Sequence, residues 1–170
     1  MPTTTDGGGS PVHGSRRQDH GFTLIEMIFT MVLFGILLAI AVPGWRSYQR
    51  ASEQSGSERD LVSFLRNAQA SAVSEETKYK AVFAADGKSV TLQRYDGTCS
   101  CYKQTAKLVP NGTSVSYSSP AFTQTDGSTQ TYAIFAGSGS ATPGTVKVVR
   151  SGTSKVYTVT VEGLTGRVSG

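Results

Sequence analysis

The sequence predicts an α+β chain in which one long N-terminal helix lies across a small antiparallel β-sheet domain. Three observations carry that prediction. An apolar run extends from Phe22 to Trp45 with Glu26 as its lone charge. Beyond it, apolar residues recur at helical spacing to about Glu76. Past Lys78 the repeat shortens to alternation, the signature of strands with one buried face.

Residues 1–21 read as a leader, rich in Gly, Pro and Thr and without a periodic apolar pattern. Arg16 and Arg17 lie close to the apolar run and should hold the leader on the cytoplasmic side. Asp6 and Asp19 offset them, so the formal net charge of +4 belongs to the chain that follows. His13 and His20, the chain's histidines, both fall in this leader.

The run at 22–45 would form a helix of roughly 36 Å, enough to cross a hydrocarbon core of about 30 Å. A carboxylate in such a segment costs about 2.5–3.5 kcal/mol on insertion scales, so Glu26 requires a reason. An ordinary secretory signal is one alternative. Its n-region would be Arg16-Arg17, its h-region Phe29 to Ala39, and Ala39-Ile40-Ala41 fits the small-x-small rule. A mature chain starting at Val42 would mark that secreted domain, and one starting at Phe22 would exclude it.

Gly21-Phe22-Thr23-Leu24-Ile25-Glu26, after a hydrophilic leader and before an unbroken apolar helix, resembles the class III signal of type IV pilins and type II secretion pseudopilins. The resemblance implies a pilin-like fold whose long helix is half membrane-spanning. It implies a prepilin peptidase that cuts between Gly21 and Phe22 and methylates the new N-terminus. It also implies a single-pass cell membrane protein held in lipid, then passed by an inner-membrane assembly platform into an extracellular or periplasmic filament. There the helix would pack on other pilin subunits through Phe22 to Val42. Glu26 would neutralise a neighbour's N-terminal ammonium, a pairing suited to an apolar core.

Pro43 stands where pilin helices often carry proline. It removes one backbone bond and crowds the preceding turn, and Gly44 softens the same spot, so a bend is expected there. Residues 46–77 read as the amphipathic half of the helix. Leu61, Leu65, Ala68 and Ala72 form its inner stripe, widened by Phe64, while Glu58, Arg59, Arg66 and Gln69 occupy other faces. Gly56 between Ser55 and Ser57 predicts a weak point or short break.

Residues 78–170 read as a β-rich globular domain. Tyr79, Ala81 and Phe83 alternate, Asp86-Gly87 turns the chain, and Val90, Leu92 and Arg94 alternate again, which makes a hairpin. Short strands follow at Val115–Tyr117 and Thr131–Phe135. Thr145–Arg150 and Lys155–Val161 form a second hairpin around Ser151-Gly152-Thr153-Ser154, and Leu164–Val168 adds a last strand. The stretch from Tyr95 to Thr131 is otherwise read as polar linker.

Ile134-Phe135-Ala136-Gly137, the loop to Pro143-Gly144-Thr145-Val146, the hairpin and Gly166-Arg167-Val168 are similar in order to the pseudopilin H / FimT-type minor pilin group. Some FimT-type minor pilins bind DNA for natural transformation through arginines in that terminal element. Their second arginine falls here at Ser169. Arg167, with Lys147, Arg150 and Lys155 near the last hairpin, is therefore the candidate DNA contact. The competing reading is a turn glycine at Gly166 and solvated basic residues that discourage edge-to-edge pairing.

Cys99 and Cys101 are the chain's cysteines. Outside the membrane an even count favours a disulfide. In an extended strand, residues two apart have α-carbons near the upper limit for a bridge, so pairing needs the tight turn that Asp96-Gly97 permits. A loop staple and two free thiols both remain open. Metal binding is not expected, because a structural zinc takes about four ligands and both histidines lie in the leader. No cofactor motif is present: Gly137-Ser138-Gly139-Ser140 lacks the Lys of a phosphate loop. Adjacent Glu75 and Glu76 diverge on a helix end, a poor geometry for paired acid chemistry. With charged residues at only 16%, the chain reads as an exported, non-enzymatic surface protein.

Overall fold

The computed structural model describes residues 22–170; the leader, with Gly21, lies outside the described residues. Helix α1 runs from Leu24 to Ser74, and strands β1 to β9 follow it. The chain divides between Pro43 and Gly44 into two compact units, taken here one at a time.

In the first unit the helix starts where Thr23 supplies a cap. The Glu26 amide donates to the Thr23 hydroxyl at 3.3 Å and to the Thr23 carbonyl at 3.1 Å. Every described residue of this unit is exposed, including Phe22, Ile25, Phe29 and Leu37. The helix containing this run is long and apolar enough to cross a membrane. It remains helical through Pro43 and Gly44.

In the second unit the expected stripe is the core face of α1: Leu61, Leu65, Ala68 and Ala72 are fully buried. The stripe extends N-terminally through two polar residues, Gln54 and Ser57, which are also buried. The break expected at Gly56 is absent. Ser57 Oγ donates to the Glu53 carbonyl one turn back at 2.9 Å and accepts the Asn111 amide at 2.8 Å. A Cβ at Gly56 would lie 3.3 Å from Asn111 Nδ2, so this glycine admits a loop rather than weakening the helix.

The strands form two antiparallel sheets where a single sheet was expected. β1 (Tyr79–Phe83), β2 (Val90–Asp96), β3 (Cys101–Leu108) and β6 (Tyr132–Phe135) make one, in the order β3-β2-β1-β6. β4 (Val115–Thr123), β5 (Thr129–Gln130), β7 (Gly144–Arg150), β8 (Val156–Val161) and β9 (Val168–Ser169) make the other, in the order β5-β4-β7-β8-β9. The inner faces of both sheets share one core with the helix stripe. Phe83 of the first sheet stacks on Phe122 of the second at 5.6 Å between ring centroids.

Both expected hairpins are present, as β1–β2 and β7–β8. Strand β3 replaces an expected linker. It lies at a sheet edge and none of its residues is buried, so its sequence carries no inward alternation, and Lys103 and Lys107 are exposed along it. β4 runs past its expected end at Tyr117. A bulge between Ser118 and Ala121, with Ser119 at φ +50° and Pro120 beside it, moves the inward position from Tyr117 to Phe122. The last strand is only Val168–Ser169, because the segment from Leu164 is a loop. Leu164 is 95% exposed.

Candidate functional site

Two surfaces carry the residues singled out by sequence. The first is the start of α1. Glu26 sits in its first turn and is exposed, with Phe22 ahead of it 75% exposed. Thr23-Leu24-Ile25-Glu26 has the spacing of a capping box, with the Thr23 side chain accepting the Glu26 amide. Sequence reasoning missed that local role although the Thr-x-x-Glu pattern displays it. A carboxylate in the first turn also complements the positive end of the helix dipole. Glu26 therefore fits the start of its own helix. Pro43 lies inside α1, and a Cβ on Gly44 would meet nothing within 4 Å.

The second surface is the basic set of the β domain, which the structure disperses. Arg150 is turned onto α1. Its guanidinium donates to the Glu53 carboxylate and, at 3.0 Å, to the Arg50 carbonyl. Its side chain is only 11% exposed. Lys155 lies over the Tyr157 ring at 4.8 Å. Lys147 is exposed in mid-strand, registered between Ser118 and Thr158.

Arg167 is exposed beside β9, where that strand joins Val161 at the far end of β8. The hairpin turn that carries Lys155 lies at the other end of β8, which spans roughly 17 Å at about 3.3 Å per residue. The four basic residues do not converge.

The terminal element instead docks on α1. Arg66 donates to the Val168 carbonyl at 2.9 Å and Gln69 to the Thr165 carbonyl at 2.8 Å. Gly166 has φ +62°, and a Cβ there would fall 2.7 Å from Gln69 Nε2. Glycine is required by both backbone and space. Further along the helix, Gln54 donates to the carbonyls of Val148 at 3.1 Å and Lys155 at 2.7 Å. Sequence reasoning placed Arg66 and Gln69 on faces other than the apolar stripe, with no partner assigned, and overlooked Gln54; a polar residue in phase with that stripe was the available signal.

Cys99 and Cys101 are joined in a disulfide with α-carbons 5.2 Å apart. Ser100 between them takes φ +51°, which supplies the close approach that an extended strand lacks. Asp96 organises the turn by accepting the Thr98 amide at 2.9 Å and pairing with Lys103 at 2.6 Å. Those bonds, the Lys103 one first, hold the Asp96 carboxyl down at about 2.

Glu75 is likewise engaged, accepting the Tyr79 hydroxyl at 2.8 Å and Arg94 Nε at 2.5 Å. The tyrosine bond first and the arginine second keep it below the usual carboxylate range. Among the described residues, no three His, Cys, Asp or Glu side chains gather as metal ligands.

Residues 58–165 match the family model for type II transport protein GspH, and residues 16–42 match the prokaryotic N-terminal methylation motif. The type IV major pilin protein PilA of Myxococcus xanthus is 40% identical over 62 residues, covering 36% of this chain and 28% of that protein. The fimbrial protein EcpC of Eikenella corrodens is 39% identical over 72 residues, 42% of this chain and 44% of that one. The chain thus spans less than half the length of either curated relative.

In fold, the body is similar to the minor pseudopilin EpsH of the Vibrio cholerae type 2 secretion system. The TM-score is 0.54 at 13% identity, over 69% of this chain and 94% of that one. It is also similar to the type IV minor pilin FimU of Pseudomonas aeruginosa, with TM-score 0.51 at 17% identity over 71% and 89% of the two chains. The chain belongs to the type II transport protein GspH family, with the N-terminal methylation motif and α+β body of a pilin- or pseudopilin-type subunit.

Proposed function

We propose that the protein is a minor pilin or pseudopilin: a processed, non-enzymatic subunit that helps build a type IV pilus or a type II secretion-like filament. The observation that carries this reading is the helix start, an exposed apolar rod with one carboxylate in its first turn. Prepilin peptidase cuts after Gly21 and methylates Phe22. The rod then waits in lipid until the inner-membrane platform transfers it to the rods of neighbouring subunits. In that water-poor contact, Glu26 pairs with the N-terminal ammonium of a neighbour. A buried carboxylate without such a partner is costly, so the pairing selects register as well as contact.

Glu26→Ala tests the reading. The variant should insert in the membrane at normal levels and fail to enter filaments; wild-type incorporation would overturn the assigned role. N-terminal sequencing of the exported product should begin at Phe22, and a start at Val42 would make the protein a secreted domain.

DNA capture for natural transformation is the second reading, and it narrows to Arg167. That residue is exposed on a loop fixed by Gly166 and by the Thr165 hydroxyl, which accepts the Arg167 amide at 3.2 Å. Duplex DNA should then shift with the full chain at low salt and lose that shift in Arg167→Ala. An unshifted duplex at low salt removes this reading.

A further inference from the structure

The outer face of the four-stranded sheet carries a patterned set of side chains that the assembly role does not use. Cross-strand register places Tyr102 opposite Tyr95, and the Tyr95 amide donates to the Lys78 carbonyl at 2.8 Å, which extends that row to the residue just before β1. The next outward row is Gln104, Gln93, Lys80 and Ile134, matched strand to strand. The Lys80 ammonium stands 4.9 Å from the Tyr102 ring centre and 4.5 Å from that of Tyr132. Burial and the neighbouring Tyr95 and Tyr132 phenols raise the Tyr102 pKa, in keeping with this close grouping.

A trough of about 410 Å³ runs along the same face from Tyr102 and Lys78 to Ile134, and its far wall carries the exposed hydroxyl residues Thr123 and Thr125. That volume falls within the range of small-ligand sites, about 300–1,000 Å³. Among the described residues no carboxylate lines it; Lys78 is the charge in its wall, and Lys80 lies in the neighbouring row, which meets the trough at Ile134. Two nearby acids are engaged elsewhere, Asp96 with Lys103 and Glu75 with Arg94.

We propose that this face binds an acidic saccharide chain, one that bears carboxylates on a polyhydroxylated backbone. Paired amides and a hydroxyl wall match vicinal sugar hydroxyls, which both donate and accept. Two ammonium groups match a sparse negative charge and would form charge-assisted hydrogen bonds to a uronate. A neutral glycan would leave that charge complementarity unused. Nucleic acid fits less well. Duplex DNA carries one charge per about 1.7 Å of axis, far denser than these lysines. The ring faces that would stack bases are occupied by Lys80, and Tyr95 meets Tyr102 at 63° rather than in a shared plane.

The test uses the full chain in detergent micelles, so its outcome is independent of filament assembly. Calorimetric titration at low salt compares hexagalacturonate, cellohexaose and a thymidine oligonucleotide. Hexagalacturonate should bind most tightly. Lys78→Gln should weaken it by about tenfold, the loss expected for a charged hydrogen bond. Gln93→Leu should weaken it as well, while Arg167→Ala leaves it unchanged, all with unaltered circular dichroism.

Absent hexagalacturonate binding, or Lys78→Gln binding like the parent, overturns the proposal. So does equal binding of cellohexaose, which would mean the lysines contribute nothing. Tighter binding of the oligonucleotide overturns it too, and reassigns the face to single-stranded nucleic acid.

Discussion

Arg150 of β7 and Glu53 of α1 form an ion pair, and the same guanidinium donates to the Arg50 carbonyl at 3.0 Å. A basic residue that reads in sequence as a candidate phosphate contact is thereby part of the joint between helix and sheet. Arg150→Ala should destabilise the body by about 1–2 kcal/mol, between the values for exposed and buried pairs because Glu53 remains 41% exposed. Thermal unfolding followed by circular dichroism should show a fall of several degrees. An unchanged midpoint would mean the pair adds nothing.

Gln54 is the polar centre of the same joint, 2% exposed and bonded to two strand carbonyls. Gln54→Leu keeps the bulk but leaves both acceptors without that donor, so a loss of about 1–3 kcal/mol is expected. Chemical denaturation would measure it. A variant as stable as the parent would show that other donors reach those carbonyls.

Tyr117 presents the opposite case. Its hydroxyl is buried without a hydrogen-bond partner among the described residues, and burial, then the Asp60 charge, push its pKa up. The phenol thus stays neutral through the physiological range. Tyr117→Phe removes an unsatisfied group and keeps the ring that meets Phe83 edge-on at 6.3 Å. The variant should be as stable as the parent or more so, by up to about 1 kcal/mol. Clear destabilisation in denaturant melts would show that the hydroxyl has a partner.

Asp96 sets an acid limit on the turn before β3. Its folded pKa of about 2 lies below the ordinary 3.8, so its contribution is present above the ordinary value. That contribution is lost as pH falls through roughly 4 to 2. Lys103→Gln should bring the Asp96 pKa back towards the ordinary value in an NMR titration. A carboxyl still titrating near its present value would credit the Thr98 bonds instead of the lysine.

What was legible in the sequence follows from how strongly each element is patterned. The second half of α1 and the two hairpins could be read because each has a buried face, as with Leu61, Leu65, Ala68 and Ala72. β3 could not, because an edge strand with no buried residue has no apolar alternation to display. β4 was cut short at its bulge, where Ser119 and Pro120 interrupt the period.

The helix start was legible as the N-terminal methylation motif, yet its Thr23 cap went unread. The dispersal of Lys147, Arg150, Lys155 and Arg167 depends on strand register and on an ion pair, neither of which is written in spacing along the chain.

The acceptors that Gln54, Arg66 and Gln69 reach are main-chain oxygens of Val148, Lys155, Val168 and Thr165. A peptide oxygen is the same whichever residue bears it. Mutational drift along β7 and β9 can therefore replace side chains without erasing the points where the helix holds on.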